Sequence, residues 1–304
     1  MNEKVKIILV FSLICLIWGS TWLAIRIGLE SLTPFYSSGF RFMLAGLLIF
    51  SWMRFKKLKL QTDRISIRFY LAMGLFTFII PFALIYWAEQ FVPSGLAAVL
   101  FAVYPFFIAL FSYFLIQSET AGIAKLIGIV FGFAGILVIF YKDLSRDISS
   151  YLIGMGGIVL GGILQACIAV LIKKYGQHLN PLTMNLVPMI IAGVSLFILG
   201  FFLEDFTTLN FNTEAVLSII YLALFGSIVT FTSYFWLLKR VNIILLSLTS
   251  FITPIVALIL GWLVYNEHLT SNHFWGSVMV LAGLLWANLG GIFRLKNKRI
   301  IKTV

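Results

Sequence analysis

Arg41 is a cation inside a long apolar run, seven residues past Pro34 and so about 10 Å along a helix that starts there. A charged side chain at such depth in a bilayer costs about 2.5–3.5 kcal/mol on insertion scales, so it must face protein or water, not lipid. Two readings stay open. The guanidinium is a counter-charge for an anionic or carboxylate substrate, or it is structural, snorkelling outward or bonding helix carbonyls. Around it, Trp18, Trp22, Tyr86, Trp87, Tyr104, Tyr234 and Trp236 place amphipathic aromatics in apolar runs. Such rings wall small-molecule pockets and hold cations or aromatic groups; they also serve as interface belts and packing. Ser20, Thr21, Gln165, Ser247, Thr249, Ser250 and Thr253 add neutral hydrogen-bonding groups. The hydroxyls can bond their own helix backbone instead. Gln165 is the most informative, because an amide in an apolar helix needs a partner that the local backbone supplies poorly.

Pro105 and Pro254 lack an amide proton and should kink their helices, as gating hinges or as static bends. Glu89 is the carboxylate placed for proton coupling, although its position at the end of an apolar run points to a solvated interface residue. Glu119 and Glu267 stand where they would cap the helices that follow them. No catalytic constellation emerges. His178, His268 and His273 fall in or beside loops, leaving no intramembrane base for a nucleophile, and G-x-S-x-G, P-loop and HExxH patterns are absent. Cys15 and Cys167 have neither metal nor disulfide spacing. The expectation is a protein that is not an enzyme, with no cofactor and no metal site.

These residues sit on elements that the composition dictates. Of 304 residues, 61% are hydrophobic and 11% charged. A soluble domain of this size carries about 25% charged residues. Apolar runs that can cross a bilayer recur at about 6–26, 34–54, 68–88, 94–116, 122–141, 152–172, 182–203, 215–237, 242–264 and 273–293. The expected fold is therefore an all-α polytopic membrane protein of ten transmembrane helices. The net charge of +11 sits in loops and tails, as in the Arg54–Lys59 cluster and the run from Arg294 to Lys302. That pattern sets orientation and gives no nucleic-acid signature. With the N-terminus inside, about 18 Lys and Arg face the cytoplasm against Arg26, Lys142 and Arg146 outside, which predicts a multi-pass protein of the cytoplasmic membrane with both termini cytoplasmic. A signal-peptide reading of the N-terminus fails, since no small-residue cleavage site follows Leu16.

The chain also repeats itself. At an offset of 149 residues Trp87 falls on Trp236, Val92 on Val241 and Pro105 on Pro254. At about 148, Glu119 falls on Glu267, Gly128 on Gly276 and Gly135 on Gly283; at about 147, Pro34, Ala45 and Gly46 fall on Pro181, Ala192 and Gly193. Two five-helix units follow, residues 1–146 and 147–304. Five is odd, so the second unit enters the membrane inverted, an arrangement of secondary transporters with substrate held at the repeat interface. Gly128-x-x-x-Gly132 and Gly157-x-x-x-Gly161 suit close helix packing.

Ten spans, the duplication, Trp18-Gly19-Ser20-Thr21-Trp22, Arg41-Phe42, the two matched prolines and the two matched glutamates together resemble the EamA group of the drug/metabolite transporter superfamily. The resemblance covers essentially the whole chain. It implies an inner-membrane exporter or exchanger of small metabolites, with a cavity lined mainly by spans 1, 3, 4, 6, 8 and 9. The expected function is alternating-access export of amino acids or related metabolites, bound by Trp18, Ser20, Thr21, Trp22, Arg41, Tyr86, Tyr104, Gln165, Tyr234 and Ser250. The partners expected are that small molecule and the lipid bilayer. A multidrug or aromatic-compound exporter and a non-transporting membrane sensor or assembly protein are the alternatives.

Overall fold

The structure, a computed structural model, describes residues 2–116, 123–141, 150–241, 243, 246, 249–267 and 270–300. Glu119, Ser247, His268 and residues 142–149 lie outside these, so the expectations attached to them are not addressed. The described residues are helical, with no strand among them. In chain order the helices are α1 Glu3–Leu29, α2 Pro34–Phe55, α3 Arg64–Ala88, α4 Ser94–Ile116 and α5 Ile123–Tyr141. They continue with α6 Ser150–Tyr175, α7 Thr183–Leu203, α8 Thr213–Leu238, α9 Thr249–Tyr265 and α10 Ser271–Ile300. By length and composition, α1, α3, α4, α6, α7 and α8 can each cross a bilayer. Shorter apolar stretches, Val130–Ile139 and Ile252–Tyr265, lie in α5 and α9. This is a polytopic helical membrane protein.

Helix starts are set by caps and by carboxylates from a distant part of the chain. Asp63 accepts from the Ser66 amide at 3.0 Å, and Asn212 from the Ala215 amide at 2.8 Å. Ser66 also donates to Asp63 through its hydroxyl and lies 3.1 Å from His178 Nε2. These bonds hold the exposed Asp63 carboxyl below the usual range. The grouping is a cap, not a catalytic triad, because the Ser66 proton goes to the carboxylate. α2 opens at Pro34, where the Glu204 carboxylate accepts from the Thr33 hydroxyl and the Phe35 and Tyr36 amides at 2.7–3.0 Å. An anion at a helix N-terminus is favourable there.

Glu267 differs from expectation. Among the described residues it caps α4 and not the helix that follows it: its oxygens accept from the Ser94 amide and hydroxyl at 2.9 Å and from the Gly95 amide at 3.1 Å, at the start of α4. The reason is local. Asn266 adopts a left-handed conformation (φ 49°) that ends α9, and the chain turns back toward α4.

Close packing fixes helix directions. A β-carbon on Gly154, Gly157 or Gly161 would meet Ala88, Leu84 and Pro81 at 3.2–3.4 Å, so α6 runs antiparallel to α3 along a seam of small residues. α1 runs antiparallel to α8: Ser218 donates to the Ala24 carbonyl at 2.6 Å near one end, and Lys6 lies 5.1 Å over the Trp236 ring at the other. The remaining major pairings are α2 with α7, α5 with α10, α4 with α9, α1 with α9 and α4 with α6. Two helices carry a widened π-helical turn, Gly74–Ile79 in α3 and Leu224–Val229 in α8. α4 breaks at Ala102–Val103, just before Pro105, which has no amide to offer the Phe101 carbonyl. α9, in contrast, is α-helical straight through Pro254. The matched prolines therefore interrupt one helix and not the other.

Candidate functional site

A cavity of about 90 Å³ lies at the centre of the bundle, room for several waters at ~10–15 Å³ each. Its lining follows the chain offsets. On α1 it takes Trp18, Thr21, Trp22 and Ile25; on α6 it takes Gln165, Ile168, Ala169 and Ile172, each 147 residues later. α3 gives Phe82 and Ile85, α8 gives Phe231 and Tyr234, 149 residues on. α4 gives Phe101 and Tyr104, α9 gives Ser250 and Thr253, again 149 on. The positions match but the side chains do not. Rings dominate the α1 and α4 wall, with Trp22 and Phe101 centroids 5.7 Å apart. Small and neutral polar groups dominate α6 and α9.

Arg41 comes from α2 and reaches this cavity, although it is only 1% exposed. Its Nε donates to Ser227 Oγ at 2.9 Å, Nη1 to the Tyr86 hydroxyl at 3.2 Å and Nη2 to the Gly226 carbonyl at 3.0 Å. Phe82 and Phe42 lie 4.8 and 5.1 Å from the guanidinium carbon. Two of the three acceptors belong to the π-turn of α8, where the wider helix presents Gly226 and Ser227 to the guanidinium. No carboxylate forms an ion pair with Arg41 among the described residues. A guanidinium has five N–H donors, so one on each terminal nitrogen is left over. The site can therefore take an anion, and a carboxylate suits two adjacent N–H groups.

The other π-turn is used in the same way, with Gln165 Nε2 donating to the Thr77 carbonyl at 3.0 Å. Tyr104 and Tyr234 join hydroxyl to hydroxyl, bridging α4 and α8 beside the cavity, and Trp18 packs 5.3 Å from the Tyr234 ring. Of the residues expected to bind substrate, Trp18, Thr21, Trp22, Arg41, Tyr104, Gln165, Tyr234 and Ser250 line the cavity together, and so does Pro254. Ser20 does not; it bonds Tyr221 at 2.5 Å and its own helix at Ile17. Tyr86 is fully buried behind Arg41, as its acceptor. Pro105 is buried beside the break in α4 and is not among the lining residues. Sequence reasoning missed Phe82, Phe101 and Phe231 in the lining; the 149-residue offset relates Phe82 to Phe231 and was the available signal.

Glu89 overturns the expectation of a solvated interface residue. It is 0% exposed, and neither carboxylate oxygen has a hydrogen-bond partner. The cause is α6, which covers the end of α3 through Gly154.

A buried cation facing a central cavity in a polytopic helical protein defines a membrane protein built to hold a small molecule within its bundle. Comparison with known proteins names the class. The chain matches the EamA-like transporter family twice, over residues 5–141 and 152–289. It is 30% identical to Protein PagO of Salmonella typhimurium, covering 89% of this chain and 88% of that one. It is 31% identical to YedA of Escherichia coli strain K12, described as an uncharacterized inner membrane transporter, over 90% and 88% of the two chains. It is 27% identical to the uncharacterized transporter YoaV of Bacillus subtilis, over 92% and 96%. One crystal structure of 17% identity superposes with a TM-score of 0.70 over 93% of this chain and 98% of that one, which shows a shared fold. The chain belongs to the EamA-like transporter family and is a multi-pass membrane transporter.

Proposed function

We propose that the chain is a ten-span secondary transporter of small organic acids with an apolar or aromatic part, amino acids or related metabolites, exporting them by alternating access. The observation that carries this is Arg41: buried, cavity-facing, unpaired with any carboxylate among the described residues, and with an N–H to spare on each terminal nitrogen. A substrate carboxylate would supply the missing counter-charge, while Trp18, Trp22 and Phe101 would hold the apolar remainder. The inverted five-plus-five organisation is supported by the matched lining positions, by α6 running opposite to α3, and by the pairings. Each pairing has a counterpart five helices on: α1 with α8 answers α6 with α3, and α1 with α9 answers α6 with α4. Such repeats exchange conformations around a central site.

The test is counterflow in proteoliposomes, with pooled unlabelled metabolites inside and labelled pools outside. Accumulation of carboxylate-bearing pools above protein-free vesicles is expected. Accumulation confined to neutral or cationic aromatic compounds would favour a multidrug or aromatic-compound exporter, a second reading drawn from the ring-rich α1 and α4 wall. For a cytoplasmic-membrane protein with both termini inside, impermeant thiol reagents should leave single cysteines in the tails unlabelled in intact cells. Labelling there would sink the topology.

A further inference from the structure

Two cation-to-carbonyl contacts lie just beyond the two ends of the central cavity, and they match each other along the chain. At one end Arg26 Nη1 donates to the Glu89 carbonyl at 2.5 Å. At the other, Lys173 Nζ donates to the carbonyls of Leu238 and, at 3.0 Å, of Val241. Arg26 and Lys173 are 147 residues apart, Glu89 and Leu238 are 149 apart, and each cation directly follows a cavity-lining isoleucine, Ile25 or Ile172. Gly154 lies on Ala88, and Lys173 is nineteen residues further along the same helix, so the contacts are roughly 28 Å apart. Each cation neutralises carbonyls at a helix C-terminus, where positive charge is favourable.

The match fails at one atom group. The position that holds Leu238 at the Lys173 mouth holds Glu89 at the Arg26 mouth, and its carboxyl is fully buried with both oxygens unpartnered. An ionised carboxylate without donors is costly to bury. None of the neighbouring groups bonds the Glu89 carboxyl. On α1, Arg26 is on the Glu89 carbonyl, and just past its end Glu30 accepts from the Tyr265 hydroxyl at 2.6 Å. From α2, Arg41 is held by Ser227, Gly226 and Tyr86, the last near the end of α3. Beyond α9, Glu267 is committed to Ser94 and Gly95 of α4. α6 has no titratable side chain between Tyr151 and Cys167. Glu89 stands just beyond α3, and burial, then the Glu267 carboxylate, push its carboxyl well above the usual range against the pull of Arg26 and Arg41.

We propose that Glu89 is a proton-binding site: its carboxylate takes a proton from bulk water, forming one O–H bond, when the Arg26 mouth closes, and returns it when that mouth opens. Closure of this mouth is thereby tied to proton binding, and closure of the Lys173 mouth is not. The sign follows from linkage. The closed form binds the proton more tightly than the open form, so closure is favoured at low pH and lost as pH rises through the closed-state pKa. The proton site stands by its own geometry; its coupling to opening rests on the transporter reading.

The experiment uses the full chain in lipid nanodiscs and proteoliposomes. Infrared difference spectra between alkaline pH and a mildly acidic pH that still lies above the ordinary carboxyl range should show a protonated-carboxyl C=O band, shifted in D₂O and lost in Glu89→Gln. In a background of Cys15→Ala and Cys167→Ala, the rate at which Ser250→Cys reacts with an impermeant maleimide from the Arg26 side, taken relative to a free thiol at the same pH so that thiolate formation cancels, should rise with pH by up to about tenfold per pH unit, the limit for one proton. With Glu89→Gln added, the rate should stay low and flat. A band that survives Glu89→Gln, or labelling as pH-dependent in that variant as in the parent, overturns the proposal. An intact band and intact pH-dependent labelling without any counterflow would instead remove the transporter reading and leave the proton site standing.

Discussion

Replacing Arg41 by methionine separates binding from stability, because the structure says which groups each would lose. The substitution removes three donors. Ser227 still donates to the Leu222 carbonyl at 2.9 Å, and the Gly226 carbonyl still accepts from Thr230 at 2.9 Å. Only the fully buried Tyr86 hydroxyl loses its partner. That orphan costs about 1–3 kcal/mol, and it is offset because removing the guanidinium also removes the cost of keeping a charge out of water, several kcal/mol per buried ion. The net change in stability should therefore stay within about 2 kcal/mol. For a substrate carboxylate, losing its buried charged partner costs about 2–5 kcal/mol, a drop in affinity of about 30-fold or more at 1.4 kcal/mol per tenfold. The assay pairs thermal unfolding in detergent with counterflow of carboxylate substrates and of their decarboxylated amines. Carboxylates should be lost selectively, with folded yield retained. Arg41→Lys should lie between, since one ammonium cannot span three acceptors held in fork geometry. Carboxylate exchange within about threefold of wild type in Arg41→Met would refute the assignment. A collapse of folded protein would show that Arg41 holds α2 to α8 and nothing more.

Tyr104→Phe should destabilise the protein by about 1–3 kcal/mol by orphaning the Tyr234 hydroxyl, and Tyr104→Phe with Tyr234→Phe should recover most of the loss; additive losses in thermal unfolding would refute the bridge. Glu267→Ala should cost about 1–2 kcal/mol, since three donors at the start of α4 lose their acceptor, and a change near zero would remove the cross-chain cap. Gly135→Leu should abolish folded yield, because even a β-carbon there would sit 2.7 Å from the Gly276 carbonyl; normal expression would contradict the α5–α10 packing. Lowering pH through the depressed Asp63 pKa should weaken the cap on α3, a stabilisation fully present above the carboxyl's unfolded value and lost as pH falls through the folded one. Asp63→Asn should flatten that acid dependence in hydrogen exchange of the first turn of α3.

Helix class and part of the cavity lining were readable because both follow from side-chain type and regular spacing. Trp18, Thr21, Trp22 and Ile25 share one face of α1 at helical spacing, and the offset of 147 relates them to Gln165, Ile168, Ala169 and Ile172 on α6. The partners of Arg41 were not readable. They depend on where α8 widens, and nothing in Leu-Phe-Gly-Ser-Ile-Val marks a π-turn by composition. Glu89 was misread for a related reason. Its exposure is decided by Gly154, more than sixty residues away, whose missing side chain lets α6 settle over the end of α3. Glu267 was assigned to the nearer helix because sequence ranks neighbours by distance along the chain, while the left-handed Asn266 turns the carboxylate toward Ser94.

The widened turns have an arithmetic of their own. Each holds one residue more than an α-turn would, and one residue is worth about 100° of rotation about a helix axis. Downstream of them lie Phe82 and Ile85 in α3 and Phe231 and Tyr234 in α8. Deleting a single residue from either turn would let the helix relax to ordinary winding and swing those side chains from the cavity toward a neighbour or lipid, with the helix itself intact. Indels at residues 74–79 and 224–229 are thus a route by which a chain of this design changes what faces its cargo without changing any side chain that faces it now.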